Sequence, residues 1–142
     1  ETACLYKTPA DWKQLCNQLG IGSKIKSDVK SLSGGERQRL FIVLALIPSP
    51  EVVFLDELTT GLDAKARRDV WKILSTLKEK GLTIFLTSHF MDEVEVLCDK
   101  ICILRKGKVT FYGTVEEAKS VSGCSKFEDA YLVLSGEEVD EE

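Results

Sequence analysis

The sequence predicts an α/β fold with a largely parallel sheet. Short apolar segments rich in β-branched and aromatic residues alternate with segments whose apolar residues recur at helical spacing. Acidic side chains follow one of the apolar segments, and hydroxyl and imidazole side chains follow another, which is typical of strands that border a ligand crevice. The 142 residues, 44% of them hydrophobic, suffice for one globular domain with its own core.

The first half of that alternation begins with two helices. Thr8, followed by Pro9, predicts the start of the first helix, and Gly20 predicts its end. Residues 33–36 (SGGE) match a capping box and predict a second helix that continues to Ile47, where prolines follow.

The central elements are two strands on either side of a helix. Residues 52–55 (VVFL) form a short continuous apolar run, so we expect a strand buried on both faces. Asp63 can cap the next helix, which Gly81 ends, and residues 82–86 predict the second strand.

The last elements are short. They are a helix over 91–98, a hairpin of strands 101–104 and 109–112, and helices opening at capping boxes that start with Thr114 and Ser125.

Charge and hydropathy exclude two function classes. The chain has 19 basic and 23 acidic residues, five of the acidic ones fall within 137–142, and no basic block stands out. We therefore expect no nucleic-acid partner and a solvated, disordered acidic end. The longest apolar run, residues 40–47, is far shorter than the roughly 20 residues that a membrane-spanning helix needs.

Three groups of residues point to chemistry. Asp56 and Glu57 follow a predicted strand, where one carboxylate can hold Mg²⁺ and its neighbour can orient or deprotonate a water, although both could simply cap a solvated turn. Residues 33–36 open a helix whose glycines would let a phosphate approach, or form an ordinary capped helix. His89, the only histidine, follows the second strand and is either structural or directed into the same crevice as Glu57.

Four motifs in order resemble the ATP-binding cassette (ABC) family. They are residues 32–40 (LSGGERQRL), 55–57 (LDE), 59–63 (TTGLD) and 88–89 (SH). The resemblance implies an incomplete P-loop NTPase-like α/β fold with part of the ABC helical subdomain. It divides the chain into part of that subdomain with the signature motif (1–50), part of the ATPase core (51–113), C-terminal helices (114–136) and the acidic tail (137–142).

The resemblance also implies residue roles. Ser33, Gly34, Gly35 and Glu36 would form the signature loop, which contacts ATP bound on the opposite subunit of a head-to-tail dimer. Asp56 would be the Walker B carboxylate serving Mg²⁺ through water, and Glu57 the catalytic residue, either the base or the residue that orients the water. Asp63 would be the D-loop aspartate at the dimer interface, and His89 the switch histidine.

The implied cofactors are ATP and Mg²⁺. The implied partners are a second ABC ATPase subunit and transmembrane transporter subunits, which would hold the protein at the cytoplasmic face of a membrane. Residues 126–136 are similar to the tails of bacterial-type export ATPases.

Two departures from the family pattern matter. Leu58 replaces the proline that usually follows the catalytic glutamate. The phosphate loop G-x-x-x-x-G-K-[ST] and the Q-loop are absent, and the sequence does not start with Met, so we expect a fragment that is inactive alone.

Two alternatives remain. The chain could be a non-catalytic module that lends its signature loop to a partner's ATP. It could also belong to a chromosome-maintenance or DNA-repair ATPase, although residues 59–63 and the absence of coiled-coil heptads argue against that class.

Overall fold

A computed structural model describes residues 2–136 of the chain. The acidic tail predicted at residues 137–142 lies outside the described residues. The chain forms two compact units, one extending to Thr87 and the other starting at Ser88. The division expected from the family resemblance, at residues 50, 113 and 136, stays a prediction.

The helices and strands follow the predicted alternation. The helices are α1 (Trp12–Gln18), α2 (Gly34–Leu46), α3 (Ala64–Glu79), α4 (Met91–Leu97), α5 (Val115–Ser122) and α6 (Phe127–Ser135). The strands are β1 (Val52–Asp56), β2 (Thr83–Thr87), β3 (Ile101–Arg105) and β4 (Lys108–Gly113). Short 3-10 helices occupy Thr2–Leu5, Gly22–Lys24 and Val29–Ser31.

The first unit contains the parallel pair of strands. β1 and β2 run side by side from the Val52–Thr83 pair to the Asp56–Thr87 pair. Parallel register places the carboxyl ends of both strands at one edge. The fully buried Val70 and Leu74 of α3 belong to the core of this unit.

The prediction that β1 is buried on both faces is wrong. Val53 and Leu55 are buried, but Phe54 is 76% exposed and packs on the exposed Phe85 with ring centroids 5.4 Å apart. Successive side chains of a strand point to opposite faces, and the core covers one face of this two-stranded sheet. A continuous apolar run is therefore not sufficient to predict that both faces of a strand are buried.

The second unit is built on an antiparallel hairpin, as predicted. β3 and β4 pair through a turn in which Lys106 and Gly107 both adopt positive φ. Ile101 and Ile103 of β3 pack into a core with α5 and α6 residues that include the fully buried Ala118 and Ala130.

Two predicted helix starts are wrong in position. Asp11, rather than Thr8, caps α1, because its carboxylate accepts hydrogen bonds from the backbone amides of Lys13 and Gln14 at 3.1 Å each. Lys126 occupies the cap position of α6, and a lysine has no acceptor, so the capping box predicted at Ser125 does not form. The capping box at Thr114 is confirmed.

Within residues 2–136, none of the helices combines the length and the apolar composition needed to span a membrane.

Candidate functional site

The carboxyl end of β1 presents two adjacent acids. Asp56 is the last residue of the strand, and Glu57 begins the loop that follows; both are exposed. β1 ends here because Glu57 turns into the left-handed region with φ 44°. Its backbone N–H donates to the carbonyl of Thr87 at 3.0 Å, and its carbonyl accepts from Thr60 N–H at 3.1 Å.

The backbone at Glu57 is held in a conformation that L-residues rarely adopt. A non-glycine residue in the left-handed region costs about 1–3 kcal/mol and persists only where its surroundings impose it. The next two side chains, Leu58 and Thr59, are buried and anchor the loop to the unit. Leu58, which stands where the family usually has proline, therefore contributes an apolar side chain to the core.

The Asp56 carboxylate has a defined partner. Its Oδ1 accepts a hydrogen bond from the Thr87 hydroxyl of the neighbouring strand. Within residues 2–136 the structure gives this carboxylate no other partner, so its second oxygen remains open to a water or a cation. One carboxylate oxygen beside ordered water is the kind of ligand that Mg²⁺ uses, so Asp56 fits the role expected of it.

The start of α2 is a complete capping box, as predicted. The Ser33 hydroxyl accepts from Glu36 N–H at 3.2 Å, and the Glu36 carboxylate accepts from Ser33 N–H at 2.9 Å. Lys24 lies 3.5 Å from the other Glu36 oxygen. The Ser33 backbone N–H, with Lys24 as a further contributor, lowers the pKa of Glu36 below its ordinary value.

The two glycines of this loop meet different surroundings. A side chain built on Gly34 would meet nothing within 4 Å, and Gly34 is exposed. A Cβ on Gly35 would lie 3.5 Å from Ala66 and 3.8 Å from Leu62. The first turn of α2 is therefore open on one side, where its unpaired amides could receive an anion, and is packed against the start of α3 on the other.

In sequence, Asp63 lies between Leu62 and Ala66, the two residues that face Gly35. Its carboxylate accepts from Ala66 N–H at 2.8 Å and caps α3, as predicted. Farther along the same helices, Arg39 of α2 pairs with Asp69 of α3 at 3.4 Å. The structure thus brings together the loop at Ser33–Glu36 and the loop that ends at Asp63.

His89 belongs to the second unit, two residues after β2. It is exposed, and its ring lies 4.2 Å from the ring of Phe90. The preceding Ser88 accepts from Phe90 N–H at 3.0 Å and shapes the entry to α4.

Sequence reasoning missed Thr87. Its position opposite Asp56 depends on the register of β1 against β2, which the sequence of either strand does not specify. The signal available was a hydroxyl residue at the end of the second strand. In the described part of the chain, the structure contains no cluster of three or more His, Cys, Asp or Glu side chains that could hold a metal ion.

Comparison with known proteins identifies the family. The sequence profile of the ABC transporter family matches residues 6–60, a segment that contains Ser33, Asp56 and Glu57. The daunorubicin/doxorubicin resistance ATP-binding protein DrrA of Streptomyces peucetius is 39% identical over 110 residues, which cover 78% of this chain and 33% of that protein. This chain belongs to the ATP-binding cassette family.

Other comparisons agree with this assignment to the ABC family. The Nod factor export ATP-binding protein I of Rhizobium etli is 43% identical over 102 residues, covering 72% of this chain and 32% of that protein. The chain thus spans about a third of the length of these curated relatives. The solved structure of an ATP binding subunit of an ABC transporter superposes with a TM-score of 0.79 at 25% identity, over 94% of this chain and 59% of the other. The α/β, P-loop NTPase-like fold is confirmed.

Proposed function

We propose that these residues are the later part of an ABC-transporter ATP-binding subunit, which binds and hydrolyses ATP and drives transport, in the export direction. The observation that carries the proposal is the pair Asp56 and Glu57, exposed at the carboxyl edge of a parallel sheet on a constrained backbone. Two relatives support the export direction, a daunorubicin/doxorubicin resistance ATP-binding protein and a Nod factor export ATP-binding protein.

In this proposal the two acids divide the chemistry. Mg²⁺, when bound, neutralises charge on the phosphates, and Asp56 would hold it through the open carboxylate oxygen and water. Glu57 would accept a proton from the attacking water. The left-handed backbone at Glu57 supports this assignment, because strained backbone conformations cluster at functional sites.

The capped start of α2 would serve a second nucleotide. Ser33, Gly34 and Gly35 would present a hydroxyl and backbone amides to the γ-phosphate of ATP held by the opposite subunit, and Glu36 would fix the loop through Ser33. The open side of Gly34 leaves room for such an approach. Asp63 would lie at the same dimer interface, because its loop packs against Gly35, and His89 would contact the γ-phosphate.

The proposed partners are a second ABC ATPase subunit and transmembrane transporter subunits, at the cytoplasmic face of a membrane. Residues 1–142 alone would be inactive, since they contain no G-x-x-x-x-G-K-[ST] loop for the α- and β-phosphates.

Hydrolysis by the complete protein tests the proposal. We expect Mg²⁺-dependent ATP hydrolysis that Asp56→Ala removes. Glu51→Ala, which changes an exposed acid just before the other end of β1, should leave hydrolysis at the wild-type level. Equal loss in both variants, or no hydrolysis in the wild-type protein, would overturn the assignment of Asp56.

The absence of the phosphate loop favours one alternative of another class, a non-catalytic module that lends its signature loop to a partner's ATP. The gene sequence upstream of Glu1 separates the two. An in-frame strand followed by G-x-x-x-x-G-K-[ST] supports the ATPase. A start codon immediately before Glu1 supports the non-catalytic module.

A further inference from the structure

Thr87 contacts both acids of the candidate site. It ends β2 at the position directly opposite Asp56, which ends β1. Its hydroxyl donates to Asp56 Oδ1, and its carbonyl accepts from Glu57 N–H at 3.0 Å. The side chain of one residue thus holds the first acid while its backbone holds the second.

The local turn does not require the Thr87 hydroxyl. The neighbouring Ser88 supplies the side-chain hydrogen bond that shapes the entry to α4, by accepting from Phe90 N–H. The Thr87 hydroxyl instead crosses to a residue 31 positions away in sequence. Its bond therefore bears on the neighbouring strand and on the orientation of the Asp56 carboxylate.

Holding one oxygen of a carboxylate has a chemical consequence. A hydrogen bond donated to Oδ1 selects one rotamer of Asp56 and leaves Oδ2 as the oxygen available to a cation or its water. A ligand that is already oriented loses less side-chain freedom when the cation binds. The contact at Glu57 N–H in turn fixes the left-handed turn from which that side chain extends.

We propose that Thr87 is a positioning residue for this site, which orients Asp56 toward the metal ion and fixes the backbone of Glu57. The proposal rests on the proposed ATPase function for its metal, whereas the contact itself can be tested without it. Two sets of measurements on the complete protein test the hydrogen bond and the effect on metal binding separately.

The first set tests the contact through stability. A double-mutant cycle combines Thr87→Val, which keeps the branched shape and removes the hydroxyl, with Asp56→Ala. We expect the two effects on the unfolding equilibrium constant to depart from additivity by about 3- to 10-fold. Thr83→Val makes the same change at the other end of β2, on another exposed threonine, and should show additivity with Asp56→Ala. Additive effects for Thr87→Val would overturn the proposal whether or not the protein hydrolyses ATP.

The second set tests positioning through metal affinity. Binding of Mn²⁺ with ATP is measured by electron paramagnetic resonance in a Glu57→Gln background, which prevents turnover. We expect Thr87→Val to weaken Mn²⁺ binding on the order of 10-fold, with ATP binding in EDTA unchanged. Thr87→Ser, which keeps the hydroxyl, should restore the affinity, and Thr83→Val should match the parent.

The outcomes of this second set distinguish a failure of the positioning role from a failure of the proposed ATPase function. Mn²⁺ affinity in Thr87→Val within twofold of the parent, or equal loss in Thr87→Ser, would overturn the positioning role in a working ATPase. A wild-type protein that neither binds Mn²⁺ with ATP nor hydrolyses ATP would overturn the proposed function and, with it, the metal-orienting role of Thr87. The cycle would still decide whether the hydroxyl holds Asp56.

Discussion

At the scale of single residues, the capping box at the start of α2 makes the free energy of unfolding depend on pH. The pKa of Glu36 lies below its ordinary value because the Ser33 N–H and Lys24 favour the charged carboxylate. A lowered folded-state pKa adds stability that is complete above the unfolded pKa and is lost as pH falls through the folded one. We expect the free energy of unfolding to fall below about pH 4.5, and Glu36→Gln to remove this part of the fall.

Chemical denaturation of the complete protein from about pH 6 to about pH 3 checks the expectation. Glu36→Gln is a matched variant, because glutamine can keep the bond to Ser33 N–H while it loses the charge. An acid-induced loss of stability that is the same in Glu36→Gln as in wild type would contradict the assignment of the lowered pKa to this box.

Ser33 carries the other half of the box. Ser33→Ala removes the acceptor for Glu36 N–H, so we expect the free energy of unfolding to drop by about 1 kcal/mol. Ser27→Ala is the control, because Ser27 is an exposed serine that precedes the loop. Equal loss in the two variants would show that the Ser33 hydroxyl does not cap the helix.

The same scale shows what the sequence could and could not predict of the site. Residues 33–36 and Asp63 were predictable because a cap needs only a few consecutive residues. Thr87 was not, because its bond to Asp56 joins two strands and depends on their register. The left-handed conformation of Glu57 was also not predictable from a residue type that rarely adopts it.

At the scale of elements, α3 packs through a narrow apolar stripe. Leu74 is 2% exposed in the core of the first unit, whereas Lys72 on the same helix is exposed. Leu74→Ala should lower the free energy of unfolding by about 2–5 kcal/mol, because the site loses transfer energy and leaves a cavity. Lys72→Ala should change it by less than about 0.5 kcal/mol. Thermal or denaturant unfolding measures both, and equal effects would mean that Leu74 does not pack in the core.

The elements also show where local patterns fail. The helix over residues 64–79 follows from its cap and its period, which act within a few residues. The exposure of Phe54 does not follow from an apolar run, since burial of the second face depends on what lies above the sheet. The cap of α1 is Asp11 and not the predicted Thr8, because the Asp11 carboxylate accepts hydrogen bonds from two backbone amides of the first turn.

At the scale of the whole molecule, the sequence of 142 residues contains no G-x-x-x-x-G-K-[ST] loop to hold the α- and β-phosphates of a nucleotide. The proposed roles of Asp56, Glu57 and Ser33 concern the metal ion, the attacking water and the γ-phosphate, not the α- and β-phosphates. We therefore expect isothermal titration of the 142-residue chain with Mg²⁺-ATP to give no measurable heat of binding. The complete protein should bind ATP under the same conditions. Binding by the 142-residue chain with the same affinity would contradict the prediction that ATP binding needs a G-x-x-x-x-G-K-[ST] loop.

The central claim is that Glu57 acts on the water that attacks ATP. The most direct test compares the complete wild-type protein with its Glu57→Gln variant in single-turnover hydrolysis and in ATP binding, with Glu79→Gln as a control at an exposed acid far along α3. The account predicts that Glu57→Gln loses most of the hydrolysis, keeps ATP binding and accumulates the ATP-bound dimer. Hydrolysis by Glu57→Gln at the wild-type rate would contradict the account and would favour the non-catalytic module.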